Sequence, residues 1–218
     1  YLILCHNKNT TNGVKSMARK RKRLKKGVIF CIVLILFCGL GFGYYKFIYN
    51  HNDIETYTAD GLSIQHDFLT VNPYSRSGKS LGRVKGIVIH YTGNPGSTAK
   101  GNRNYFEALK DKHTTSVSSH FIVGLKGEII QCIPLNEIAY ASNNRNKDTI
   151  SIETCHPDES GKFNQETYQS LQKLVRSLMD TYDLDKEDVI RHYDVTGKIC
   201  PKYFVDHEDA WQIFLNSL

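Results

Sequence analysis

The chain has 218 residues, 40% of them hydrophobic, with a formal charge of +6 and a pI near 8.9, a balance that taken whole would invite a polynucleotide partner. The charge is unevenly placed: residues 1–50 hold ten Lys and Arg and no acid, so the remainder holds eighteen basic against 22 acidic side chains, a net −4. The main domain is therefore not expected to bind nucleic acid.

Residues 1–16 show no structural pattern, and Met17 stands directly before a basic cluster running from Arg19 to Arg23, so translation is expected to begin at Met17. From Gly27 to Tyr45 the chain has no charge and is dominated by Ile, Val, Leu, Phe and Gly. A helix rising about 1.5 Å per residue needs roughly twenty residues to cross a hydrocarbon core of about 30 Å. With Lys and Arg concentrated on its N-terminal side, this stretch is expected to be an uncleaved anchor. The alternative is a cleaved signal peptide, but the stretch exceeds the usual apolar region and no small-residue cleavage pattern follows it. The expected organisation is a cytoplasmic basic tail at 1–26 and a transmembrane helix at 27–49. An extracellular tether at 50–81 and a single domain at 82–218 follow. The expected location is the cell membrane, single-pass, with the N-terminus cytoplasmic and the domain extracellular; a monomer is expected.

Residues 51–80 are polar and rich in turn signals such as Asn72-Pro73 and Gly78, and read as a tether and a loosely structured approach. Four short β-branched or aromatic runs, Gly86 to Tyr91, His120 to Val123, Glu128 to Ile133 and Thr149 to Glu153, read as strands. The second and third, separated by Gly124 to Gly127, form an expected antiparallel hairpin, and the first reads as a buried central strand. Helical spacing appears over Asn102 to Lys110, Gln165 to Tyr182 and Glu208 to Leu215. In the middle helix Tyr168, Leu171, Leu174, Val175 and Leu178 make one apolar stripe, read as a core face. The fold class is α/β: a central mixed sheet flanked by helices, preceded by one transmembrane helix.

Of six cysteines, Cys5 lies in the leader and Cys31 and Cys38 in the apolar stretch, leaving Cys132, Cys155 and Cys200. Cys132 and Cys155 either pair or sit as buried small hydrophobes. His192 and Cys200 lie eight residues apart in a polar, turn-rich segment for which a core has little use, and His90 ends an apolar strand. Alone, a histidine placed like His90 is more often a hydrogen-bonded structural residue than a ligand. Together the three offer two imidazoles and a thiolate, a zinc set that leaves a fourth coordination position for water. Lys198, two residues before Cys200, projects to the same side of an extended segment and could face a developing oxyanion; the alternative is a solvated surface lysine. Glu153, on the polar side of Ile150 to Glu153, could carry a proton between water and a leaving amine; the alternative is a salt-bridged rim residue.

These segments, in this order, resemble the type 2 N-acetylmuramoyl-L-alanine amidases, the family that includes phage-lysozyme-type amidases and peptidoglycan recognition proteins. The resemblance covers about Val84 to Phe204 and is carried by Ile87 to Thr92, Ser119 to Val123 with Gly127 to Ile130, Thr149 to Glu153, and His192 with Lys198 to Pro201. It implies a Zn²⁺ held by His90, His192 and Cys200, with Lys198 stabilising the transition state and Glu153 as acid and base. It also implies a peptidoglycan or muropeptide substrate cut between N-acetylmuramic acid and L-alanine. Some members place a tyrosine before the histidine matched by His120; Ser119 stands there, which leaves that work to Glu153. Ala141 stands where many relatives have a histidine. Tyr91, Asn94 and His120 are candidate substrate contacts. Two rivals remain: a domain that holds muropeptide without cutting it, and a thiol hydrolase in which His192 activates Cys200.

Overall fold

Ile87, Val88 and Ile89 are wholly buried, as are Phe121, Ile122 and Val123, the burial of strands covered on both faces. In the computed structural model, which describes residues 56–59 and 61–218, they are two of seven strands in one mixed sheet. The strands are β1 (Thr56–Ala59), β2 (Leu62–His66), β3 (Ile87–Ile89), β4 (Phe121–Val123), β5 (Ile129–Gln131), β6 (Ile150–Thr154) and β7 (Val189–Arg191), in spatial order β1-β2-β5-β4-β6-β3-β7. The β4–β5 pair is the expected antiparallel hairpin, and β4, β6, β3 and β7 are mutually parallel neighbours.

The helices are α1 (Ala99–Lys112), α2 (Gln165–Tyr182), α3 (His192–Thr196), α4 (Lys202–Asp206) and α5 (Glu208–Asn216). The pleat sorts the side chains between them. Ile87, Ile89, Phe121, Val123, Ile150 and Ile152 share one core with Leu171, Leu174, Val175 and Leu178 of α2 and Trp211 and Phe214 of α5. Ile122 and Ile130 face the other way and join Ala99 and Phe106 of α1. The helix stripe expected in α2 is thus a core face. Asn164 caps the start of α2 by accepting from the Thr167 N–H, and Asp183 ends it in the left-handed region.

The parallel register decides where chemistry can gather. Ile89 lies level with Ile152 on one side and with Arg191 on the other. The next residues, Glu153, His90 and His192, therefore emerge at the same carboxyl edge of the sheet, on the side opposite Ile89 and Ile152. Arg191 points the other way, where its guanidinium binds Asp194, Glu208 and the Phe204 carbonyl and lies 5.2 Å from the Trp211 ring.

Two expectations change. Among the described residues no helix is long and apolar enough to cross a membrane, since even the 18-residue α2 is apolar on one face only. The span expected at 27–49 lies outside the described residues. The single-pass cell-membrane location, with its cytoplasmic N-terminus and extracellular domain, is accordingly not retained. The segment read as a tether supplies β1 and β2, and Leu62, Ile64 and Leu69 are buried. It is also moored: Asp67 binds Lys100 and Arg103, Thr70 binds Glu107, and Arg76 binds Glu137 through two nitrogens at 2.7 and 2.8 Å. Its strand signal is only five residues long and sits among turn residues, which masked it. Cys132 and Cys155 are both free and buried, so the small-hydrophobe alternative holds.

Leu69 is 1% exposed in a segment that sequence alone assigns to a tether. Leu69→Ala is expected to cost roughly 2–5 kcal/mol in denaturant unfolding, the range for emptying a core site, whereas a change of under about 0.5 kcal/mol would mark a solvated linker.

Candidate metal centre

His90 follows β3 and His192 opens α3, each one residue beyond its strand. Cys200 arrives by a different route. Gly197, at φ +78, ends α3 in the left-handed region and turns the chain back, and the Tyr193 N–H donates to the Cys200 carbonyl at 2.9 Å. As a result one ligand atom from each of His90, His192 and Cys200 lies within 4.8 Å of the others, and all three residues are buried. His90 Nδ1 is 3.9 Å from Cys200 Sγ, and the two imidazole rings are 4.6 Å apart at 55°.

Burial pushes His90 well below the usual histidine range, helped by His192 and Lys198, and burial with Lys198 also lowers His192. Both rings are thus held neutral, the form that ligates a metal. Burial and the nearby Glu153 push the Cys200 thiol up to about 12, against the Tyr91 N–H and Lys198. A buried cluster of two neutral imidazoles and a thiol fits a borderline-soft divalent cation, whose arrival would displace the thiol proton. It does not fit the thiol-hydrolase rival, which needs a depressed thiol pKa.

The triad lines a cleft of about 760 Å³ between the carboxyl edge of the sheet and the start of α1. Glu153, Lys198, Tyr91 and Asn94 line it too. Glu153 is half-buried as a residue, but its Oε2 is buried with no hydrogen-bond partner among the described residues. Burial raises its carboxyl to about 8, opposed by Lys198. Lys198 is exposed on the rim. The residues proposed for metal, proton transfer and oxyanion therefore share one space.

His120 does not join them. It is wholly buried, its Nδ1 accepts from the Ser151 N–H at 3.0 Å, and its Nε2 lies 3.0 Å from the Glu137 carbonyl. Burial lowers it to about 4, so it is a neutral structural ring and is withdrawn as a substrate contact. Ser119 is structural as well: its single hydroxyl proton is shared between the Phe121 and Ser151 carbonyls, at 2.8 and 2.9 Å, and its oxygen accepts from the Glu153 N–H on the strand that carries the carboxylate.

Sequence reasoning passed over Ser142 and Asn143. Ser142 Oγ is 3.2 Å from His90 Nε2, and Asn143 Oδ1 is 3.4 Å from His192 Nε2. The only sequence trace was the polar run Ser142 to Asn146, which reads as a plain turn. The α1 wall of the cleft, with Asn102 and Tyr105, was likewise assigned to a helix but not to the site.

An α/β sheet with a His–His–Cys cluster, a buried carboxylate and an ammonium around one cleft has the layout of a candidate metal-dependent hydrolase. The family model for N-acetylmuramoyl-L-alanine amidase (Amidase_2) matches residues 80–203, and the chain belongs to that family. It is 38% identical over 169 residues to the N-acetylmuramoyl-L-alanine amidase CwlL of Bacillus licheniformis, covering 70% of this chain and 46% of CwlL. Over 174 residues it is 33% identical to BlyA of Bacillus subtilis, again covering 70% of this chain and 46% of the relative, so the chain spans about half the length of the curated relatives it matches. Among solved structures, PlyL superimposes with a TM-score of 0.61 at 27% identity, covering 70% of this chain and 94% of PlyL. The catalytic domain of XlyA gives 0.60 at 27%, covering 71% and 97%.

The raised Glu153 carboxyl has a measurable cost. Between the unfolded value near 4.5 and the folded value of about 8, the folded chain holds a proton that the unfolded chain has lost, so stability falls as pH rises through that window. Glu153→Gln removes the titration. With chelator present, the melting temperature of the Gln variant is expected to gain progressively on the unsubstituted protein from pH 5 to 8; a constant difference would place the carboxyl near its ordinary value.

Proposed function

We propose that the chain is a zinc-dependent N-acetylmuramoyl-L-alanine amidase that hydrolyses the amide joining the lactyl carbonyl of N-acetylmuramic acid to L-alanine in peptidoglycan. The convergence of His90, His192 and Cys200 beside Glu153 in one cleft carries this reading. Family membership and relatives bearing that activity in their names support it.

His90, His192 and Cys200 would hold the ion, which when bound supplies Lewis acidity toward the scissile carbonyl and makes water more acidic. A thiolate neutralises one of the ion's two charges, so the chain has more need of its own base and its own cation. Glu153 takes a proton from the attacking water as the new C–O bond forms, and returns it to the alanine nitrogen as the C–N bond breaks. A free muramyl carboxylate and a free α-amino group result. Glu153, raised by burial in the metal-free chain, would ionise more readily beside a bound divalent cation and so reach the range of a working base. The Lys198 ammonium, free to swing over the cleft from its exposed position, faces the negative oxygen of the tetrahedral state. Tyr91 and Asn94 contact the substrate on the rim.

Mass spectrometry of cell-wall fragments after incubation with the protein tests bond choice and catalysis together; the expected product is newly exposed N-terminal alanine. Stoichiometric zinc with no such release from suitable walls would favour a muropeptide-binding domain instead. Cys200→Ala is expected to lose metal and activity together. Glu153→Gln is expected to keep its zinc while turnover falls roughly 10²-fold or more, and full activity in that variant would remove Glu153 from the mechanism.

A further inference from the structure

The imidazoles of His90 and His192 come from neighbouring strands, yet their far nitrogens both end on one short turn. Ser142 Oγ lies 3.2 Å from His90 Nε2, and Asn143 Oδ1 lies 3.4 Å from His192 Nε2. The turn is built to hold these two side chains. Asn146 Oδ1 accepts from the N–H groups of both Ala141 and Ser142, and the Arg145 and Asn146 N–H groups close back on the Ser142 and Asn143 carbonyls at 2.9 and 3.1 Å. Asn143 sits at φ +54, a left-handed conformation that asparagine tolerates better than most residues. Ser142 is 1% exposed, so no bulk water competes for its hydroxyl.

We infer that Ser142 and Asn143 are positioning residues that set both imidazoles in the Nε2–H tautomer before any metal arrives, leaving each Nδ1 with its lone pair directed at a shared ion. An amide oxygen only accepts, so a ring nitrogen bonded to Asn143 Oδ1 must carry the hydrogen. His90 Nδ1 is turned toward Cys200 Sγ at 3.9 Å, and the inferred tautomer has the opposite nitrogen, Nε2, donate to the Ser142 hydroxyl, which can accept. An imidazole that donates from its far nitrogen is held in orientation and is a more basic ligand. The inference rests on the zinc-amidase reading for its purpose, but the tautomers belong to the metal-free chain and are measured there.

The variants are chosen for the backbone. Asn143→Gly keeps the left-handed turn and removes the acceptor, while Asn143→Asp keeps both; Ser142→Ala removes the hydroxyl alone. Long-range ¹H–¹⁵N correlation spectra of the metal-free protein near pH 8 are expected to show single Nε2–H tautomers for His90 and His192. Asn143→Gly should mix the two forms at His192 only, and Ser142→Ala at His90 only. Zinc affinity, read by chelator competition, is expected to fall roughly 10–100-fold in Asn143→Gly and in Ser142→Ala, and to return in Asn143→Asp. A mixed population in the unsubstituted chain, or zinc affinity unchanged in both deletions, would overturn the inference. A chain with the expected tautomers that binds no zinc would instead overturn the metal reading and leave the tautomer assignment standing.

Discussion

The site depends on the in-register parallel pairing of β6, β3 and β7. Parallel strands release their carboxyl ends along a single edge, and equal register puts Glu153, His90 and His192 on one level with their side chains on one face. A shift of one residue in either pairing would send a ligand or the carboxylate into the opposite core, because side chains alternate. Ile87, Ile89, Ile150, Ile152 and Val189 make such a shift costly, since each would leave the core it shares with α2 and α5. The hydrophobic pattern that folds the sheet therefore also aligns the chemistry.

Two of the cluster's three members lie at these strand ends; the third comes from a loop. Cys200 reaches the site because the chain reverses at Gly197 and is tied to the first turn of α3. Arg191 strengthens the same corner from beneath, spanning Asp194 and Glu208 and stacking over Trp211, so the residue before His192 is fixed on the far side of the sheet. The resulting burial sets the electrostatic character of the pocket. It keeps two rings neutral, holds a thiol protonated and leaves Glu153 Oε2 without a partner among the described residues. Neutral imidazoles are already in the ligating form, and a divalent cation held there would displace the thiol proton and favour the ionised carboxylate.

Much of this was legible in the sequence. The apolar run ending at His90, the hairpin around Gly124 to Gly127 and the stripe on α2 carry strong period signals, and the structure has them with boundaries moved by only a few residues. The metal candidates were readable because His192 and Cys200 stand in a polar segment with no core role. Their company was not. Ser142 and Asn143 are common turn residues whose meaning comes from which ring nitrogens lie opposite them, a fact of tertiary geometry. His120 failed for the reverse reason: a histidine at a strand start carries the same letter whether it faces a cleft or, as here, a backbone carbonyl inside the protein. β7 was missed because three residues, one of them Arg191, are too short a run to show alternation.

The family pattern opens at residue 80, yet the helix that walls the cleft is anchored from upstream of it. Asp67 and Thr70 grip Lys100, Arg103 and Glu107 along α1, and β2 extends the sheet beside β5. A recombination boundary drawn at the pattern's edge would sever a brace from the helix it steadies. The portable unit of this protein, for grafting or for inheritance, is longer than the motif by which it is recognised.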